Sequence, residues 1–184
     1  IARVTISPLT TATGYSNLVV IAGNGTNAPV VLNGKASSDP DNDPLTFAWL
    51  DGTNFLSSAA LTTNTLNVGT HEIQLSVNDG GSTASVVTNI QVISTGSSLE
   101  ALIAFVKSTH LNPRNEQSLL ASLYAAQSSL AKGSIDGAIS HLVNFQSKVR
   151  SQIAPINPTL AQKFIRDSQA VINALRPLLK LSTR

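Results

Sequence analysis

The chain contains no cysteine and no methionine among its 184 residues. The missing cysteine excludes a disulfide framework, a thiolate zinc site and a thiol nucleophile. The missing methionine means that Ile1 cannot open a native gene product, so we expect a processed piece of a longer protein. No apolar run approaches the roughly 18 residues that a membrane-spanning helix needs. A transmembrane segment and a cysteine-dependent enzyme are therefore both disfavoured.

Charged residues are few, at 12% of the chain, and they divide unevenly. Residues 1–96 carry two basic and six acidic side chains, a formal charge of −4. Residues 97–184 carry ten basic and four acidic side chains, a formal charge of +6. Such an asymmetry is typical of separate modules with separate surfaces. We predict two domains, residues 1–93 and residues 97–184, joined by a linker at Ser94–Ser97.

The first domain has the pattern of short strands separated by turn residues. Seven segments are rich in Val, Ile, Thr and Leu, and the last two alternate with period two. They are Val4–Ile6, Leu18–Ile21, Val30–Asn33, Leu45–Leu50, Leu66–Val68, Glu72–Val77 and Ser85–Ile93. Strands of this length and spacing predict an all-β sandwich.

Two segments in this region carry a family resemblance. Ser37-Ser38-Asp39-Pro40-Asp41-Asn42-Asp43-Pro44 is followed by Leu45-Thr46-Phe47-Ala48-Trp49, and later by His71-Glu72-Ile73-Gln74-Leu75-Ser76-Val77-Asn78-Asp79-Gly80. Together they resemble the PKD family of immunoglobulin-like β-sandwiches. The resemblance implies a spacer or adhesion module of a secreted or surface protein, and it points away from catalysis.

After Gly96 the apolar residues recur about every 3.6 positions, which predicts four amphipathic helices and an all-α second domain. Ser97 and Glu100 have the spacing of a capping box. Asn112-Pro113 and Asn157-Pro158 each supply an N-cap followed by a first-turn proline, and Gly133 and Ser134 separate the second helix from the third. Short connections favour a four-helix antiparallel bundle.

A segment of the second and third helices also resembles a known family. Leu123-Tyr124-Ala125-Ala126-Gln127-Ser128-Ser129-Leu130-Ala131-Lys132-Gly133, followed by Ala138-Ile139-Ser140-His141-Leu142, is similar to FIMAH-type helical domains of secreted bacterial proteins. A tetratricopeptide repeat is disfavoured because no second copy follows at a fixed period.

Four carboxylates in the first domain form a candidate metal site. Asp39, Asp41 and Asp43 stand at i, i+2 and i+4, although Pro44 and Leu50 at positions six and twelve exclude an EF-hand. If their loop and the loop of Asp79 share one end of an immunoglobulin-type sandwich, the four carboxylates converge. The convergence predicts a structural Ca²⁺ site, since a hard cation would relieve their repulsion. The alternative is turn chemistry alone, with Asp side chains bonding their own backbone.

The remaining signals are weak. The three histidines stand singly, and no Gly-x-Ser-x-Gly elbow of a serine hydrolase is present. Trp49 is predicted to lie in the sandwich core, so we expect no exposed aromatic platform. A basic stripe is predicted on the last helix from Arg166, Asn173, Arg176, Lys180 and Arg184. It is either an ordinary solvated face or a surface for an anionic cell-wall polymer, a lipid headgroup surface or the acidic loops of the first domain. Nucleic acid is disfavoured because no binding motif accompanies these residues.

These observations predict a non-catalytic accessory region of an extracellular or cell-surface bacterial protein, serving as a spacer, adhesion or anchoring module. Its partners would include the other domains of the parent protein. The alternative hypothesis is a structural subunit of an extracellular assembly, in which Ile1–Thr10 pairs with the sheet of a neighbouring subunit.

Overall fold

The computed structural model describes residues 1–10, 14–15 and 18–180. In these ranges a β-rich region is followed by four helices. The eight strands are β1 (Thr5–Ser7), β2 (Leu18–Ala22), β3 (Asn27–Asn33), β4 (Thr46–Asp51), β5 (Asn54–Ser57), β6 (Leu61–Asn67), β7 (Gly69–Asn78) and β8 (Thr83–Ser94). The helices are α1 (Thr95–Ser108), α2 (Pro113–Ala131), α3 (Ile135–Lys148) and α4 (Pro158–Leu179), with a π-helical turn at Val149–Ile153.

The strands form two sheets. One has the order β1-β3-β6 and the other has the order β2-β8-β7-β4-β5. Alternate residues of β7 are buried, namely Ile73, Leu75 and Val77, and Trp49 of β4 is fully buried with them, as predicted. Gly34, at the end of β3, lies so close to this core that an added Cβ would meet Leu75 at 2.9 Å and Trp49 at 3.3 Å. The two sheets therefore bury a common core, an arrangement consistent with a β-sandwich.

The N-terminal segment is used within the chain. Ile6 of β1 is paired with Leu32 of β3 in an antiparallel ladder, and Ser37 Oγ accepts a hydrogen bond from the backbone nitrogen of Arg3 at 3.0 Å. β1 is the edge strand of the order β1-β3-β6 and bonds β3 on one side, so pairing of this segment with a neighbouring subunit stays a prediction.

Each helix buries one apolar stripe. Phe164 of α4 lies at the centre of this core, where its ring contacts those of Phe105 and Phe145 edge to face, with centroid distances of 5.1 and 6.0 Å. Asn112 and Asn157 cap α2 and α4 through their side chains, at 2.9 and 3.0 Å, as predicted. No helix in the described residues is long and apolar enough to cross a bilayer.

The junction between strand and helix differs from the predicted linker. β8 ends at Ser94 and α1 begins at Thr95, so the chain passes from sheet to helix without a loop. The N-cap is Ser94, whose Oγ accepts the backbone N–H of Ser97 at 2.9 Å. Ser97 is therefore in the first turn, and the capping box predicted at Ser97 and Glu100 is wrong.

The chain forms two compact units, and each unit is built from more than one segment of the sequence. The β unit, as we call it, comprises residues 1–10, 18–20 and 27–92 of the described ranges. The helical unit comprises residues 93–180 together with residues 14–15 and 21–26. Gly23 shows why the last segment belongs there, since an added Cβ would lie 2.1 Å from the carbonyl oxygen of Ala174 in α4.

Candidate functional site

The predicted carboxylates lie in two loops of the β unit. Asp39, Asp41 and Asp43 occupy the loop between β3 and β4, and Asp79 opens the turn between β7 and β8. Asp41 and Asp43 are exposed to solvent, and Asp39 is half-buried. Backbone geometry shapes the first loop as well, because Asn42 adopts a left-handed conformation with φ of 61°.

Asp39 organises its own loop. Its Oδ2 accepts hydrogen bonds from the backbone nitrogens of Asp41 at 2.8 Å and Asp43 at 3.3 Å. The backbone nitrogen of Asn42 lies 3.4 Å from the Asp39 carbonyl oxygen. These are the contacts by which an Asp side chain stabilises a turn that follows it.

Asp79 does the same in the second loop. Its Oδ1 accepts the backbone N–H of Ser82 at 2.6 Å and that of Gly81 at 2.8 Å. The hydrogen bonds from Ser82 and Gly81 hold the pKa of the Asp79 carboxyl below its ordinary value. Asp79 thus acts as the backbone acceptor of its own turn, as Asp39 does in the first loop.

The described part of the chain offers no multidentate site for a metal ion. Within residues 1–10, 14–15 and 18–180, no group of three or more His, Asp or Glu side chains is placed to hold a metal ion. One oxygen each of Asp39 and Asp79 is committed to backbone N–H groups, which favours the turn interpretation. Calcium binding by Asp39, Asp41, Asp43 and Asp79 therefore stays a prediction.

His71 is the histidine with the most defined environment. Its Nδ1 lies 2.6 Å from Oδ2 of Asp51, and its Nε2 lies 2.8 Å from the carbonyl oxygen of Asn67. Both partners are acceptors, so both hydrogen bonds form together only when both ring nitrogens carry protons. These two hydrogen bonds connect β7 to β4 and to the end of β6. They also leave neither ring nitrogen available to a substrate.

A buried polar group joins two helices of the helical unit. Gln146 of α3, which is 4% exposed, donates from Nε2 to Ser168 Oγ at 3.2 Å and to Gln169 Oε1 at 3.1 Å. Ser168 is fully buried and its hydroxyl donates in turn to the carbonyl of Phe164 at 2.7 Å. Sequence reasoning missed this contact, although polar residues at core positions of a 3.6-residue pattern are a usable signal.

A second polar contact joins α3 to α2. Nζ of Lys148 donates to the carbonyl oxygen of Ser118 and to Oγ of Ser122, both at 2.9 Å. Gln152, in the π-helical turn, donates to Ser118 Oγ at 3.3 Å. The half-buried side chain of Lys148 therefore joins α3 to α2.

The predicted basic stripe on α4 is present in part. Lys163, Arg166, Arg176 and Lys180 are exposed, and Gln169 donates to Asn173 at 2.9 Å between them. Arg166 Nη2 also forms an ion pair with the buried Asp167 at 2.8 Å, which lowers its share in the surface charge. Arg184 lies outside the described residues. We call the surface of Lys163, Arg166, Arg176 and Lys180 the basic face of α4.

Comparison with known families finds a match in the helical region. The model of the FIMAH domain family matches residues 97–173, which span most of the four helices. No curated protein matches the chain. The match supports the FIMAH resemblance of the helical domain and indicates an accessory domain of a bacterial surface protein.

Proposed function

We propose that this chain is a non-catalytic accessory region of a secreted or cell-surface bacterial protein, in which the β unit is a spacer and the helical unit is an anchoring module. The FIMAH match at residues 97–173 carries the proposal, because FIMAH domains are accessory and non-catalytic. The proposal assigns the chemistry of the parent protein to its other domains.

The spacer role rests on the sandwich type. The sheet orders β1-β3-β6 and β2-β8-β7-β4-β5 correspond to those of an immunoglobulin-like domain if β3 is strand B, β4 strand C, β7 strand F and β8 strand G. The central Trp49 supports this assignment, because its ring is fully buried and its Nε1 donates to the carbonyl of Ala59 at 2.9 Å. A PKD-like sandwich is the sandwich type that we propose.

The anchoring role rests on charge. Short connections between successive helices favour an antiparallel bundle, and the basic face lies along one exposed side of its last helix. Lys163 and Arg176 are 13 positions apart, or roughly 20 Å along the helix axis. A linear polyanion of the cell wall, with repeated phosphate or carboxylate groups, would reach both ends of this face.

The face is better suited to a polymer than to a bilayer. The exposed positions of α4 hold Lys, Arg, Asn, Gln, Thr and Pro, whereas membrane-surface helices insert exposed Trp, Phe or Leu side chains. Electrostatic binding to a polymer is also sensitive to salt, with a Debye length of about 8 Å at physiological ionic strength.

Fluorescence anisotropy with labelled poly(glycerol phosphate) tests the anchoring module. The full chain should bind at low salt and lose affinity as salt rises, and Lys163→Glu with Arg176→Glu should weaken binding at least tenfold. Lys132→Glu with Arg114→Glu is the matched control, since both residues are exposed in the helical unit but outside α4. Equal weakening by both pairs would show a response to net charge and would refute the assignment to α4.

A further inference from the structure

The five-stranded sheet has an outer face that no function above uses. Side chains on β7 alternate, so Gln74 and Ser76 lie on the face opposite to the buried Leu75 and Val77. The residues paired with these positions in β4, β5 and β8 lie on the same face of the sheet. The outer face is defined as the alternate positions of β7 from Thr70 to Asn78, together with the positions of β4, β5 and β8 that lie in the same cross-strand rows.

One row of the outer face is apolar at three of its four positions. Leu50 is paired with Phe55 of β5 on one side and with Gln74 on the other, and Gln74 is paired with Val87 of β8. Residues paired across strands project on the same side of a sheet. Phe55 is 65% exposed and Val87 is 49% exposed, so the row opens to solvent. Four strands at about 4.8 Å spacing make the row about 14 Å long.

Phe55 belongs to β5, a strand that the sequence does not predict. The short strand carries the ring to the edge of the sheet, where it continues the row of Leu50 and Val87.

The next two rows hold small polar side chains fixed by cross-strand hydrogen bonds. Ser76 Oγ and Ser85 Oγ lie 2.9 Å apart, and Asn78 Nδ2 donates to Thr83 Oγ1 at 2.7 Å. Gln74 Nε2 donates to Ser76 Oγ at 3.3 Å. Hydroxyl and amide groups can donate and accept several bonds each, so these groups retain capacity for a ligand while their positions are set.

Charge is nearly absent from this surface. On β4, β7 and β8, all of whose residues the structure describes, Glu72 is the one charged residue at the outer-face positions. A polyanion and a strongly basic partner would both lack counter-charges here.

We propose that the outer face binds a neutral polysaccharide chain, with pyranose rings lying along the row of Phe55, Leu50 and Val87. The C–H faces of the rings would cover the apolar row, and their hydroxyl groups would bond Gln74 and Ser85. A protein partner fits less well, because serine is depleted at protein interfaces, whereas Ser76 and Ser85 lie at the centre of this face. The proposal goes beyond the accessory role and does not depend on the basic face of α4.

Native gels polymerised with hydroxyethylcellulose, arabinoxylan, galactomannan or dextran test the proposal with the full chain. At least one polymer should retard the protein, and 1 M NaCl in a parallel pull-down should leave binding unchanged. Phe55→Ala should reduce retardation at least tenfold. Leu61→Ala is the matched control, since Leu61 is 43% exposed on the other sheet, and it should be retarded like the wild type.

Ser85→Arg provides a second variant that keeps Phe55 in place. Ser85 is exposed, so a long charged side chain can be accommodated while it covers the centre of the face. It should abolish retardation without changing the melting temperature by more than a few degrees. Mobility unaffected by all four polymers, retardation of Phe55→Ala equal to that of the wild type, or binding that salt removes would each overturn the proposal.

Discussion

The close approach of Gly23 to α4 offers a sharp test of which residues form the helical unit. In Gly23→Ala the new Cβ would lie 2.1 Å from the carbonyl oxygen of Ala174 and 3.0 Å from its carbonyl carbon. Ordinary contacts of this kind exceed 3 Å, so the backbone of α4 or the 21–26 segment must shift by about 1 Å. Overpacking that moves backbone costs typically 1–3 kcal/mol. We expect the free energy of unfolding to fall by about 2–3 kcal/mol.

Two spectroscopic probes separate the units. Trp49 lies in the β unit and is the one tryptophan of the chain, whereas circular dichroism at 222 nm reports mainly on the helices. Gly23→Ala should shift the urea midpoint at 222 nm. Gly96→Ala in α1 is the control, because the new Cβ would meet Ser94 Oγ at an ordinary distance of 3.5 Å. This substitution should stabilise the helix by up to about 1 kcal/mol. A Gly23→Ala midpoint equal to that of the wild type would refute the assignment of residues 21–26 to the helical unit.

Three further predictions concern the β unit. His71→Ala should lower its free energy of unfolding by about 1.5–3 kcal/mol, measured by Trp49 fluorescence, because the hydrogen bond to the Asp51 carboxylate is lost. Calcium at a hundredfold excess over Kd should stabilise the β unit by about 2.7 kcal/mol if the predicted site binds, and Asp41→Asn with Asp43→Asn should abolish this response. The lowered pKa of Asp79 means that its carboxylate stabilises the fold above the ordinary pKa of 3.8, and that this contribution is lost as pH falls through the folded-state pKa. Asp79→Asn should therefore flatten the acid limb of the stability profile.

Each of these has an outcome that contradicts it. His141→Ala serves as the histidine control, and a His71→Ala loss no larger than that of His141→Ala would remove the tethering role. Identical melting curves in millimolar calcium and in chelator would leave Asp41 and Asp43 as turn residues alone. An acid limb of Asp79→Asn that superimposes on the wild-type limb would show that the hydrogen bonds from Gly81 and Ser82 do not couple Asp79 to folding.

Much of the fold could be predicted because local signals were strong. The Asn-Pro pairs at 112–113 and 157–158 combine an N-cap acceptor with a proline whose missing N–H costs nothing there, so two helix starts are confirmed. The central strands were recognised from their alternating apolar residues. β5 was missed because Asn54–Ser57 is short, lies at a sheet edge and has no alternation of its own.

The features that sequence could not supply depend on long-range contact. Ser94 ends β8 and caps α1 at once, and no local pattern distinguishes this from a linker. The sequence of residues 21–26 predicts a strand end and a turn, yet contacts within the helical unit assign these residues to that unit. At the acidic loops, the choice between cation ligand and turn acceptor depended on backbone N–H positions that only the fold defines.

The claim that this region anchors a larger protein is tested most directly by attachment itself. The full chain should be fused to a soluble fluorescent protein and mixed with purified cell walls that carry anionic polymers, and the bound fluorescence should be measured. The account predicts that the chain retains the reporter on these walls and that Lys163→Glu with Arg176→Glu releases it. A reporter that stays in solution, or that the variant retains equally, would contradict the account.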